Sequence, residues 1–318
     1  MQENNEIVCN ELTVFRKVLK LMGNRFEITV VSDDENSANA DIQAAVDEIK
    51  RIEKLLTTFS ADSQTNLINR NAGIAPVKVD KELFELLVRC KRISEITQGS
   101  FDVSYGSVDK SLWNFDSSMT SLPDEATAQQ LVRLINYKNV LLDPTAETVF
   151  LKEKGMRIGF GGIGKGYAAE RAKMILKNLG VSSGIVNAAG DLTAWGNQPN
   201  GTAWTIGIAD PNAARSAFSY LEITNTSIAT SGNYEKFVVI DGKKYSHTID
   251  PKTGLPVSGI KSVTILSPNA ELADAMATPV MIMGIDAGLH MINQIHGIGC
   301  IVIDDNDRIY TSKNINLQ

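Results

Sequence analysis

Cysteine and histidine are scarce, with 3 of each in 318 residues. Cys9, Cys90 and Cys300 lie far apart, form no CxxC pair and have no histidine at ligand spacing. That excludes a disulfide framework and a thiolate zinc site, and leaves buried thiols as the default reading. No apolar run approaches the ~18 residues of a membrane-spanning helix. A basic excess is missing too: Lys+Arg total 31 against 37 Asp+Glu, giving a net charge of -6 and a pI ≈ 5.3. Such a balance argues against a protein organised around nucleic acid or an anionic membrane, so a phosphate-bearing ligand needs a local site. The N-terminus shows no basic stretch followed by an apolar one, and Cys9 does not follow the apolar run that lipidation would require.

What is present is a globular composition, 43% hydrophobic, enough for a large core. Without a fixed-period repeat or low-complexity linker, residues 10–318 read as one unit with at most two lobes, preceded by a disordered segment at 1–9. Strand-like runs at 12–19 and 26–32 flank the turn Met22-Gly23-Asn24, and Ile42, Val46, Ile49, Ile52, Leu55 and Leu56 recur at helical spacing over 37–57. Further helices fit Leu83 to Ile93 with a stop at Gly99, 126–135 after Pro123-Asp124, 167–179 ending at Gly180, and then 270–283 and 286–295. Hairpins fit 140–142 with 148–151, 237–240 with 244–247 around Asp241-Gly242, and 298–303 with 308–311; strands also fit near 183–188, 203–209 and 219–224. Hairpins and helices are interspersed without regular βα alternation, so the class is α+β: mixed or antiparallel sheets with packed helices, in two lobes around a central cleft.

Several segments carry chemistry. Gly161-Gly162-Ile163-Gly164-Lys165-Gly166 opens a helix, where backbone N–H groups approach a phosphate and Lys165 adds a charge, with a plain tight turn as the alternative. Asp274 and Thr278 lie four apart on one helix face, a hard-oxygen pair suited to Mg²⁺, with a surface Asp and an interior Thr as the plain alternative. Pro279 follows, predicting either a kink that frees the Ala275 carbonyl or a helix boundary capped by Thr278. His247, after Ser246, leaves a strand into Thr-Ile-Asp-Pro-Lys-Thr-Gly, where a base or a hydrogen-bonded turn residue are both at home, and His290 and His296 read as structural. Gly99-Ser100-Phe101-Asp102 puts a ring beside a carboxylate after a helix end, with Trp113 in a following short helical stretch. Asn187 to Asp191 and Ala229-Thr230-Ser231-Gly232 read as small-residue turns after strands.

Taken in order, these blocks resemble the ApbE family of FAD:protein FMN transferases, over about residues 12–315. The blocks are Met22-Gly23, Phe59…Ser63…Asn69, Gly99 to Asp102 with Trp113, Gly161 to Tyr167, Asn187…Asp191, Ala229 to Gly232, Ser246 to Pro256, and Ala273…Thr278. The resemblance implies a T-fold-related architecture and Mg²⁺-dependent transfer of FMN from FAD to a Thr hydroxyl of an acceptor flavoprotein, such as a subunit of a membrane redox complex, releasing AMP. It implies metal ligands at Asp274, Thr278 and the Gly164 carbonyl. FAD contacts are implied at Met22, Phe59, Ser100, Phe101, Asp102, Gly161, Lys165, Tyr167 and Ser246, and a role for His247 in positioning or deprotonating the incoming Thr. A cell-envelope lipoprotein is implied as well. The chain departs from the family pattern at Gly159, where Asp is usual, at Gly164, where Ala is usual, and at Glu170, where Asp is usual. The same site also serves two other readings, an FAD pyrophosphatase giving FMN and AMP and a non-catalytic flavin-delivery protein.

Overall fold

The computed structural model describes residues 11–113, 115, 119–209, 217–233 and 237–315, so the expected disorder of 1–9 and the thiol of Cys9 lie outside it. Strands β1 (Thr13–Leu21) and β2 (Asn24–Ser32) form a hairpin through Met22 and Gly23, both at positive φ. Then come α1 (Glu35–Leu56), α2 (Gln64–Arg70), β3 (Val77–Lys78), α3 (Lys81–Ile96) and α4 (Glu125–Val132). Next are β4 (Val140–Asp143), β5 (Thr148–Leu151), α5 (Gly164–Asn178), β6 (Gly184–Ala188) and β7 (Asp191–Trp195). Strands β8 (Trp204–Ala209), β9 (Ala217–Ile223), β10 (Ser227–Gly232), β11 (Phe237–Ile240), β12 (Lys243–Ser246) and β13 (Ile260–Ser267) follow. The described chain closes with α6 (Ala270–Met283), α7 (Ile285–Ile292), β14 (Gly299–Asp304) and β15 (Ile309–Thr311).

The fold is α+β. Eight strands form one antiparallel sheet in the order β1-β2-β6-β7-β10-β13-β14-β15. Helices α1, α5 and α6 cover one face. Ile42, Val46, Ile49 and Ile52 of α1 are each at most 1% exposed there, every such side chain contributing about 1.5–3 kcal/mol of burial. Asp34 caps α1 by accepting from Ser37 N–H at 2.6 Å. The opposite face, with Val31, Leu192, Ala194 and Ile228, is covered by the β8–β9 ribbon through Trp204 and Ile223. A separate cluster of Trp113, Phe115, Val132, Val238, Ile240 and Ile249 joins α4 to the β11–β12 ribbon. Cys90 and Cys300 are buried thiols.

Three central strands depart from the sequence expectations. Ala229 to Gly232 are not a turn but the end of β10, and Asp191 opens β7 rather than closing a turn. Strand β13 had no expectation at all. In β10 the small residues Ala229 and Ser231 face α6, and only side chains of that size let the helix lie close. Trp113 lies outside any helix, its backbone N–H donating to the Lys110 carbonyl at 3.0 Å and its ring stacked on Phe115 at 5.8 Å, within the second core cluster.

Candidate functional site

Helix α5 starts at Gly164, three residues before the expected start, because its first turn finds partners inside the protein. Gly164 N–H donates to the Phe160 carbonyl at 2.7 Å and Tyr167 N–H to the Ile163 carbonyl at 2.9 Å. Gly166 N–H donates to Asp274 Oδ2 at 2.9 Å, and Lys165 N–H reaches the same carboxylate. The helix end is therefore capped from α6 by Asp274, and the expectation that these donors cradle a phosphate is corrected at Lys165 and Gly166. The glycines divide accordingly. A Cβ on Gly166 would stand 2.2 Å from the Ala270 carbonyl oxygen, so this glycine is set by close α5–α6 approach; one on Gly161 meets nothing within 4 Å.

Asp274 is 7% exposed, and burial, with the neighbouring Asp191 carboxylate second, pushes its carboxyl up to about 7. Asp191 is 3% exposed, is raised by burial, and accepts from Thr230 N–H and from Lys165 Nζ. It stands directly after the tight turn Ala189-Gly190, both at positive φ, on the face of β7 whose Thr193 accepts from Lys173 of α5 at 3.1 Å. Two buried carboxylates thus share the neighbourhood of one lysine.

Thr278 lies one turn after Asp274, and its hydroxyl is 3.0 Å from that of Ser231 on β10. Helix α6 runs through Pro279 to Met283, which overturns the alternative of a helix boundary capped by Thr278. Glu170, the departure from Asp, accepts from Ala270 N–H at 3.0 Å and thereby holds the start of α6.

The remaining candidates fall into two groups. Met22 and Phe101 adjoin the glycine turn: their side chains lie 3.8 Å from a Cβ built on Gly164 and 3.7 Å from one on Gly162. Ser100 is buried beside Phe101. Asp102 faces inward; its carboxylate accepts from Ser104 N–H, Ser104 Oγ and Tyr137 N–H at 2.6–2.8 Å, so its oxygens are engaged in holding the loop. Phe59 is fully exposed at 100% between α1 and α2. Tyr167 turns toward α3, where its hydroxyl donates to Glu82 at 2.6 Å and its ring lies under Arg89. Ser246 is buried at the end of β12, where its hydroxyl accepts from Thr248 N–H at 3.1 Å; His247 follows it on the surface. Cavities of about 380 Å³ beside Asp102, Tyr137 and Lys252, and of about 790 Å³ beside Arg89, Tyr167 and Glu271, flank these elements.

Sequence reasoning did not select Asp191 or Ser231 as individual site residues. The signal for Asp191 was an acid directly after Ala-Gly and ahead of the wholly buried run Leu-Thr-Ala-Trp, where a charge needs a partner. Ser231 carried none, because its role depends on which helix crosses β10.

A helix-capping carboxylate, a lysine and a second buried acid stand together between the sheet and two helices of an α+β fold. The chain belongs to the ApbE family, whose model matches residues 22–302. It is 33% identical to a Klebsiella pneumoniae protein named FAD:protein FMN transferase, over 92% of this chain and 90% of that one. A Treponema pallidum protein of the same name is 29% identical, over 87% and 81% respectively. Among solved structures, the ApbE protein of Thermotoga maritima superposes with a TM-score of 0.84 at 29% identity, covering 95% of this chain and 97% of that one. The flavinyl transferase ApbE of Pseudomonas stutzeri, at 24% identity and TM-score 0.82 over 95% and 96%, shares the fold.

Proposed function

We propose that the chain transfers FMN from FAD to a threonine hydroxyl of an acceptor protein and releases AMP in an Mg²⁺-dependent reaction. The observation that carries this is the enclosure of Asp274, Lys165 and Asp191 at the start of α5 in a chain whose 33% identical relative bears the name FAD:protein FMN transferase.

Among the described residues no three His, Cys, Asp or Glu side chains cluster as a metal cage. The donor set in this reading would instead be mixed oxygen: the Asp274 carboxylate and the Thr278 hydroxyl one turn apart on α6, with the Gly164 carbonyl that the family resemblance implies. Such donors, beside two buried acids that share one lysine, suit a hard cation. Bound there, Mg²⁺ would neutralise charge on the diphosphate. Lys165 supplies a further positive charge, and Met22 and Phe101 give apolar walls beside the glycine turn. In the transfer, the acceptor Thr oxygen forms a bond to the FMN phosphorus while the bond to the AMP oxygen breaks. In this reading His247, exposed after β12, would take the hydroxyl proton of the acceptor Thr. A cell-envelope location is part of the proposal and rests on the family resemblance; fractionation of the native host checks it.

The test is incubation with FAD, Mg²⁺ and a candidate acceptor domain, read by mass spectrometry. An acceptor mass gain equal to FMN with matching AMP supports transfer. Free FMN with an unlabelled acceptor supports hydrolysis instead, and intact FAD refutes both.

A further inference from the structure

Two buried carboxylates, Asp191 and Asp274, act on Lys165. Its ammonium pairs with Asp191, while its charge also acts on Asp274, whose carboxylate accepts from the backbone N–H groups of Lys165 and Gly166 and so uses two of the roughly four acceptor positions a carboxylate offers. Asp191 is the better placed of the two to hold it. That carboxylate is fixed by Thr230 N–H from β10 and by the turn before β7, and its side chain is 4% exposed against 30% for that of Lys165. The Lys165 stem leaves the first turn of α5, so the ammonium swings about a root that lies beside Asp274 itself. A lysine that settled on Asp274 would compete with any cation for the same oxygens.

We propose that Asp191 is a positioning residue that holds the Lys165 ammonium off Asp274, so that the Asp274 carboxylate stays open to a divalent cation and the lysine charge stays beside it. This rests on the metal reading of Asp274 given above. Asp191 touches neither the cation nor the reacting phosphorus in this scheme; it acts through Lys165. One anchored lysine beside one open carboxylate places two cationic groups, one fixed and one exchangeable, against the two phosphates of a diphosphate.

The experiment is Mn²⁺ titration of the purified, nucleotide-free protein followed by electron paramagnetic resonance, a readout independent of turnover. Asp191→Asn, which preserves shape, is expected to weaken Mn²⁺ binding by about tenfold to a hundredfold, the range for a group that orients a metal site from behind its ligands. The double variant Asp191→Asn with Lys165→Met is expected to recover binding, because the lysine that invaded Asp274 is gone. Unchanged affinity in Asp191→Asn, or a double variant as weak as the single, overturns the assignment. An answer without any variant comes from amine labelling of the native protein, read by mass spectrometry. Labelling of Lys165 unchanged by saturating Mn²⁺ supports the proposal, and a rise on adding Mn²⁺ shows the lysine being expelled from Asp274 and overturns it. Wild-type protein that binds no Mn²⁺ refutes the metal reading and this assignment with it, whereas normal wild-type binding with an unaffected Asp191→Asn refutes this assignment alone.

Discussion

The backbone N–H of Gly166 in α5 donates to the carboxylate of Asp274 in α6 at 2.9 Å, and a Cβ on Gly166 would lie 2.7 Å from that residue's own Cβ. The two helices meet with no side chain from α5 between them, so the capping of α5 and the geometry of the site are one contact.

Gly166→Ala should therefore be destabilising by about 3 kcal/mol, since the added methyl meets a backbone carbonyl that has nowhere to go. Gly161→Ala should leave stability within about 0.5 kcal/mol, because its Cβ enters open space. Urea denaturation separates the two. If Gly161 abuts FAD as the family resemblance implies, its variant, although stable, should bind FAD more weakly in a fluorescence titration.

Asp274 predicts a pH dependence of definite sign. Its carboxyl sits near 3.8 when unperturbed and is pushed up to about 7 in the folded chain. Between those values the folded protein keeps a proton that the unfolded chain has released, so raising the pH across that window lowers stability; above it both states are ionised and the contribution stops changing. A cation requires the ionised form, so metal affinity should rise by roughly tenfold per pH unit below about pH 7 and level off above it. Calorimetric titration at about pH 6 and about pH 8 checks this, and an equal affinity at both would show that Asp274 is not a ligand.

Thr278→Val nearly preserves volume and removes one hydroxyl from the pair with Ser231. Loss of that half-buried hydrogen bond should cost about 1 kcal/mol of stability. The Mg²⁺ activation curve should move to higher concentration by a larger factor than this stability loss accounts for. Melting temperature and activation measured on the same preparation decide it, and an unshifted curve removes Thr278 from the ligand set.

Phe59 is 100% exposed, so Phe59→Ala should leave the melting temperature unchanged. If its ring stacks on the flavin, the KM for FAD should rise by about tenfold, the size of one aromatic contact. A variant with unaltered KM would restrict the ring-binding surface to Met22 and Phe101.

Much of the architecture was legible along the chain. The expected helices over 37–57 and 270–283 correspond to Glu35–Leu56 and Ala270–Met283, and the hairpin at 140–151 is present. Amphipathic spacing, caps and Asp-Gly or Asp-Pro turns are local signals, and a core that buries one face per element leaves them intact in the sequence. Motif order likewise pointed to the ApbE family, which the match over residues 22–302 bears out. The central strands β10 and β13 were not legible, because β13, buried on both faces, loses the alternation that marks strands, and the small residues of β10 resemble a turn.

What only the tertiary structure decided is how the charges and glycines are used. The sequence offered Gly161–Gly166 as one phosphate-binding loop, yet α6 lies against its second half, takes two of its N–H groups with Asp274 and makes Gly166 a packing residue. It offered Asp274 and Thr278 as a pair four residues apart, whereas the partners that define them, Asp191 and Ser231, are separated from them by 83 and 47 positions. Local propensity carries no information about which distant acid will be buried beside which lysine. That is fixed when sheet register and helix docking bring β7, β10, α5 and α6 to a common point, and burial there gives each charge an effect on its neighbours that it would lack in water.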